Sequence, residues 1–232
     1  MPFLVAAATD PFLGVTFTPG KGGASLSVPV QIAVLLTLLT LLPAALMTVT
    51  PFLRIAVVLH FLRQALGTQT TPSNQVLVGL ALFLSLVIMK PVLSEMYTRG
   101  WEPMERGQIT AAEAYEAASA PLKTFLSRFV REKDAALFIE ISKSPPPAKP
   151  ADLDLRILIP AYILSELKTA FQIGAVLFLP FLVIDLVVAS VTLSVGMVQL
   201  PPVMLSAPLK VLLFVLVDGW NLVVGSLVKS FY

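Results

Sequence analysis

The chain of 232 residues has no cysteine and a single histidine, His60. Without thiols there is neither a disulfide framework nor a thiolate metal site, and with one imidazole no zinc site is expected. Charge is scarce as well. Only 13% of the residues are charged and the formal net charge is +2, with no Lys/Arg cluster to follow a phosphate backbone, so nucleic acid is not an expected partner. A Gly-rich phosphate loop, a G-x-S-x-G elbow, an H-E-x-x-H pair and any nucleophile-base pair around His60 are all missing. Neither an enzyme nor a cofactor is therefore expected.

What is abundant is apolar. Hydrophobic residues make up 56% of the chain and the mean hydropathy is +0.87, which points to a membrane protein. The charges that exist are gathered: residues 90–156 hold 20 of the 30, ten basic and ten acidic, and mark a polar insert between two oily parts.

Between Lys21 and Arg54 lie 32 residues without a charge. Val28 to Val49 is long enough to cross a hydrocarbon layer about 30 Å thick at ~1.5 Å per residue. Further candidate spans run from Gln64 to Met89, Ile157 to Ile184 and Leu186 to Leu209. A connector with Arg54, His60 and Arg63 joins the first two; if its cations face the cytoplasm, parity puts the insert and both termini on the other side.

Pro43, Pro51, Pro160, Pro180, Pro201, Pro202 and Pro208 punctuate these stretches, so kinked or broken helices that pack against partners are expected. The expected fold is all-α, a polytopic membrane type of helical hairpins with Pro-broken helices and a small helical non-cytoplasmic insert. Its parts are an N-terminal segment 1–26, a first hydrophobic pair 27–93, the insert 94–156, and a second pair 157–232 with a turn near 196–202. The N-terminal segment could be a signal remnant, with Ala6 and Ala8 as a cleavage site.

Within the insert, Thr110-Ala-Ala-Glu113 has the form of a capping box, and Pro121 suits a first helical position. Leu122, Phe125, Leu126, Phe129 and Val130 recur at the spacing of one buried helix face. Arg131 to Asp134 reads as a charged patch and Ser144 to Pro150 as a linker.

The stretch LSELKTAFQIG, 164–174, places Glu166 and Lys168 in an apolar run. Two residues apart on a helix, they are roughly 200° from each other and cannot pair, because surface neighbours are three or four residues apart. A carboxylate buried without a partner costs several kcal/mol, so each needs a partner elsewhere. Arg54 and Lys210 are the candidate cations for Glu166; Asp185 and Asp218 are the candidate anions for Lys168. We expect Glu166 to pair with Lys210 across subunits, since opposite charges on opposite sides of a helix suit a ring of identical chains. The alternatives are that Glu166 and Lys168 sit at the membrane interface, with Lys168 snorkelling to water, or that Glu166 and Asp185 serve a proton relay.

Four stretches carry a family resemblance: NQVLVGLALFLSLVIMKPV (74–92), ILIPAYILSELKTAFQIGAVLFLPFLVIDLVVAS (157–190), APLKVLLFVLVDGW (207–220) and GSLVKSF (225–231). Together they resemble the FliP/SctR family of type III secretion export-gate proteins. The insert sequence PLKTFLSRFVREKDAALF is similar to the flagellar branch. The resemblance implies a pentamer that joins FliR-type and FliQ-type subunits in a helical, pore-forming gate of the bacterial inner membrane at the flagellar basal body. Its helices would be lifted largely out of the bilayer plane, other membrane proteins of the export apparatus would surround it, and unfolded flagellar proteins would pass through.

The resemblance also implies a gate loop at Gly196, Met197, Val198, Gln199, Leu200, Pro201 and Pro202. Relatives carry a run of methionines there, whereas this chain has only Met197, so a mixed apolar ring with Gln199 turned away is expected. The competing reading is a small ion-coupled transporter that uses Glu166 and Asp185. The repeated P-F-L-x-I pattern at Pro51 and Pro180 keeps that reading in play.

Overall fold

The computed structural model describes residues 28–68, 70–145, 152–196 and 201–232, and their regular structure is entirely helical. The expected signal remnant lies outside the described residues, as do positions 197–200 of the expected gate loop. The chain divides into two units, residues 1–46 and 47–232.

In the first unit, helix α1 (Val28–Thr48) begins where the first span is expected and continues through Pro43. Its few polar side chains are turned on their own backbone. Thr37 donates its hydroxyl to the Ala33 carbonyl at 2.8 Å and Thr40 to the Thr37 carbonyl at 2.9 Å. Leucines occupy its surface, Leu35, Leu38 and Leu41 among them.

Helix α2 (Phe52–Ala65) lies at the centre of the second unit. Ile55, Val58, Leu59 and Leu62 form the i, i+3, i+4, i+7 stripe of an amphipathic helix, and all four are buried. This segment, expected to be a charged connector, is a core element, and the second apolar helix, α3 (Asn74–Met96), starts ten residues later than the span expected at Gln64.

α3 leads through a π-helical turn (Tyr97–Trp101) and a short α4 (Glu102–Glu105) into α5 (Ala111–Phe129) and α6 (Glu132–Ser142). The capping box is formed: Thr110 Oγ1 accepts from the Glu113 amide at 3.4 Å, and Glu113 accepts from the Thr110 amide at 2.8 Å. The Thr110 hydroxyl also donates to the same carboxylate at 2.9 Å, and the amide and hydroxyl of Thr110 together hold the Glu113 carboxyl below its usual range, the backbone bond contributing most. Pro121 does not start a helix. It sits in the middle of α5, whose start is already fixed by Thr110. The apolar face is as expected, with Phe125 and Leu126 buried and Leu122, Phe129 and Val130 packed against the core.

α7 (Leu155–Ser194) is one helix of 40 residues that runs through both Pro160 and Pro180. The third expected span and the first nine residues of the fourth, divided at Asp185, therefore belong to one element, and the end of the fourth falls in α8. Pro43, Pro160, Pro180 and Pro208 are all absorbed inside helices, whereas Pro51, Pro201 and Pro202 stand at helix starts. A proline removes one backbone bond, and turns on either side that are themselves well bonded can bridge the gap. Asp154 caps the start of α7, accepting from the Arg156 amide at 2.9 Å, and Gly196 follows its end at φ +79°.

The chain then folds into α8 (Pro202–Leu216) and α9 (Gly219–Lys229), which are bent from each other by 66°. α1, α3 with its extension and α7 are long and apolar enough to cross a membrane, and the bent pair makes a fourth candidate. At ~1.5 Å per residue α7 measures about 60 Å, twice the thickness of a hydrocarbon core. Its first half is buried at Ile157, Leu158, Ala161, Tyr162 and Ala170; its second half exposes Val176, Leu179, Val183, Leu186 and Val187.

Candidate functional site

Three ion pairs lie along α7, and each ties it to a different helix. Glu166 accepts two parallel bonds from Arg54 on α2, Nε to Oε2 at 2.8 Å and Nη2 to Oε1 at 2.5 Å. Neither side chain is open to solvent. This fork-to-fork geometry is the one in which a guanidinium satisfies a carboxylate most fully.

The remaining Arg54 donors reach the end of the chain. Nη1 donates to Ser230 Oγ at 3.0 Å, while the guanidinium carbon stands 4.0 Å from the Phe231 ring centre and 5.3 Å from that of Phe129. Arg54 thus joins α2, α5, α7 and the residues after α9 at one point. Beside it, Tyr162 is fully buried and its hydroxyl has no hydrogen-bond partner among the described residues.

Lys168 faces the other way and pairs with Asp134 of α6. Ser165 adds its hydroxyl to the same carboxylate at 2.7 Å and accepts from the Arg131 amide at 3.0 Å. Arg131 in turn donates through Nη2 to Gln172 Oε1 at 2.6 Å and Thr169 Oγ1 at 3.2 Å. The polar residues of SELKTAFQ are therefore all engaged, Glu166 toward α2 and the other four toward the start of α6. Burial pushes the Asp134 carboxyl up, but the bonds from Lys168 and Ser165 and the charges of Lys168 and Arg131 outweigh it, and the group sits below the usual carboxylate range.

In the apolar half, Asp185 accepts from Lys210 Nζ at 2.6 Å and from Ser206 Oγ at 2.6 Å, both on α8. Lys210 is buried and Asp185 is partly open. Asp218 stands at the α8–α9 bend in a left-handed conformation, φ +51°, and accepts from Asn221 Nδ2 at 3.1 Å.

Both members of the expected Glu166–Lys210 pair are thus occupied within one chain, by Arg54 and Asp185. The lysine lies 44 positions along the sequence on a helix that meets the far half of α7, whereas α2 packs directly beside Glu166. Lys168 takes neither Asp185 nor Asp218, and the charged patch expected at Arg131–Asp134 instead supplies its partner. Asp134 is the residue that sequence reasoning missed. Its one available signal is position: it opens α6 directly after the buried face of α5 ends at Val130.

Arg54, one of the two cations used to orient the chain, is buried in an ion pair and drops out of the loop charges. Among the described residues no three acidic or histidine side chains are placed to hold a metal. The arrangement can brace helices, since each of the three carboxylates is held by a cation on another element.

The FliP family model matches residues 35–227. The flagellar biosynthetic protein FliP of Pectobacterium carotovorum subsp. carotovorum is 51% identical over 91% of this chain and 82% of its own length. That of Bacillus subtilis (strain 168) is 50% identical over 89% of the chain and 94% of its own length, and that of Cereibacter sphaeroides 48% over 95% and 73%.

Proposed function

Since the chain belongs to the FliP family, we propose that it is a pore-forming core subunit of the flagellar type III export gate. In this reading it assembles with itself as a pentamer and with FliR-type and FliQ-type subunits in the inner membrane, beside other membrane proteins of the export apparatus. The insert faces the periplasm, and unfolded flagellar proteins pass through the pore. The segment 196–202 is the proposed seal.

The observation that carries this reading is the division of α7. A helix about twice as long as a bilayer is thick is anchored at one half by ion pairs to α2 and α6, while its other half and α8 present rows of uncovered leucine and valine. Such a surface suits repeated helix-to-helix contacts between subunits. A transporter driven through Glu166 and Asp185 is less well supported, because Glu166 is held on both oxygens by a guanidinium and excluded from solvent.

The mass of the complex purified in mild detergent tests the proposal. Several copies of this chain together with copurifying small membrane subunits are expected. A species no larger than a dimer, with no companions, would overturn it.

A further inference from the structure

Between α7 and α9 lies a groove that the ion pairs border but do not fill. Arg54 bonds Glu166 on α7 and Ser230 after α9, so the end of α9 lies beside the first half of α7 and its start beside the second. The space between the two helices encloses about 550 Å³, and no charged residue lines it. Val176, Leu177, Leu222 and Val223 line the end toward the exposed half of α7. Gln172, Ser226 and Ser230 line the other end.

The polar end is also the cationic one. Gln172 accepts from Arg131 at 2.6 Å, Ser230 accepts from Arg54 at 3.0 Å, and Lys229 shares a flank of α9 with Ser226 and Leu222. Glu166 neutralises Arg54 and Asp134 neutralises Lys168, whereas Arg131 and Lys229 have no salt bridge among the described residues. Glu132 and Lys133, which follow Arg131, cancel each other, so the charges of Arg131 and Lys229 remain. This end lies at the level where α7 leaves its contacts with α6 and begins to expose its apolar row. On a helix that crosses a membrane, that is the level at which headgroups meet hydrocarbon.

We propose that the groove binds a phospholipid with an anionic headgroup, the phosphate at the Arg131 and Lys229 end and one acyl chain along Val176, Leu177, Leu222 and Val223. Basic pockets between membrane helices recognise anionic headgroups. Polarity runs along the groove in the order that an amphiphile has. An apolar helix laid in the same space would press hydrocarbon against the cationic end and leave its charges unsolvated. The groove is built within one chain, so the proposal does not depend on how many copies assemble.

The purified complex in phosphatidylcholine vesicles, with a trace of phosphatidylglycerol bearing a photoreactive acyl chain, tests this. Illumination is expected to label residues 176–177 and 222–223, and a phosphatidylcholine probe with the same chain to label them less. Val176→Trp, at a position 66% exposed, fills the groove without touching the core and should abolish the adduct at Leu222 and Val223. Arg131→Gln and Lys229→Gln should each bring phosphatidylglycerol labelling down to the phosphatidylcholine level, with the mass of the complex unchanged. If Arg131→Gln disturbs α6, Lys229→Gln, which breaks no salt bridge, decides. Equal labelling of the unaltered protein by both probes overturns the proposal. So do adducts spread evenly over Leu179, Leu182 and Val183, or no adduct in the groove, the result expected if another helix covers it.

Discussion

Arg54 shows why the kind of charge matters as much as its sign. Its planar fork fills both oxygens of Glu166 and still leaves a donor for Ser230 and a face for Phe231, which a lysine ammonium cannot do at once. Asp134 is the acidic counterpart on the water side. Its carboxyl is held below its ordinary value, so the stability it contributes is present above the unfolded pKa of about 3.9 and is lost as pH falls through the lower folded value. Hydrogen-exchange protection of α6, corrected for intrinsic rates, is thus expected to stay level from about pH 5 to 8 and to fall only below about pH 4. Asp134→Asn should lower it throughout, and a step between pH 5 and 8 would contradict this role. Of these partners the sequence offered only Arg54, as one of two candidate cations for Glu166, and it offered no sign of Asp134. Spacing showed that Glu166 and Lys168 look in different directions, but partners 112 and 34 positions away are chosen by packing.

The helices differ in how much of them the sequence displays. α5 was legible, because its cap and its apolar stripe are local signals that agree with each other. α1 was legible from length and hydropathy. α2 and α7 were not: α2 hides an amphipathic stripe among charges that look like a loop, and α7 absorbs two prolines that look like breaks. The contact between these two helices is close at Gly174, where a Cβ would lie 2.5 Å from Phe61 Cδ2 and 2.7 Å from Cγ. Phe61 is itself lodged edge-on against Phe171 at 5.3 Å and Phe178 at 6.1 Å, so the ring has little room to move. Overpacking of this kind costs about 1–3 kcal/mol, against a gain of about 1 kcal/mol from replacing glycine inside a helix. Gly174→Ala should therefore lower the thermal stability of the detergent-solubilised protein, and adding Phe61→Leu should recover most of the loss. An unchanged or raised midpoint in the single variant would mean that α2 and α7 are not this close.

Taken together, the charged groups along α7 tie it to α2, α6 and α8. Removing one partner of a buried pair leaves the other charge unpaired, at about 3–5 kcal/mol, while replacing both with apolar side chains of similar volume is often close to neutral. The most direct measurement is flagellar protein export, with the amount of assembled protein recorded alongside, in cells carrying Arg54→Leu, Glu166→Leu or both. The single variants are expected to lose both folded protein and export, and the double variant to regain both. A double variant that accumulates and assembles fully yet exports nothing would contradict a bracing role and return Glu166 to the chemistry of transport.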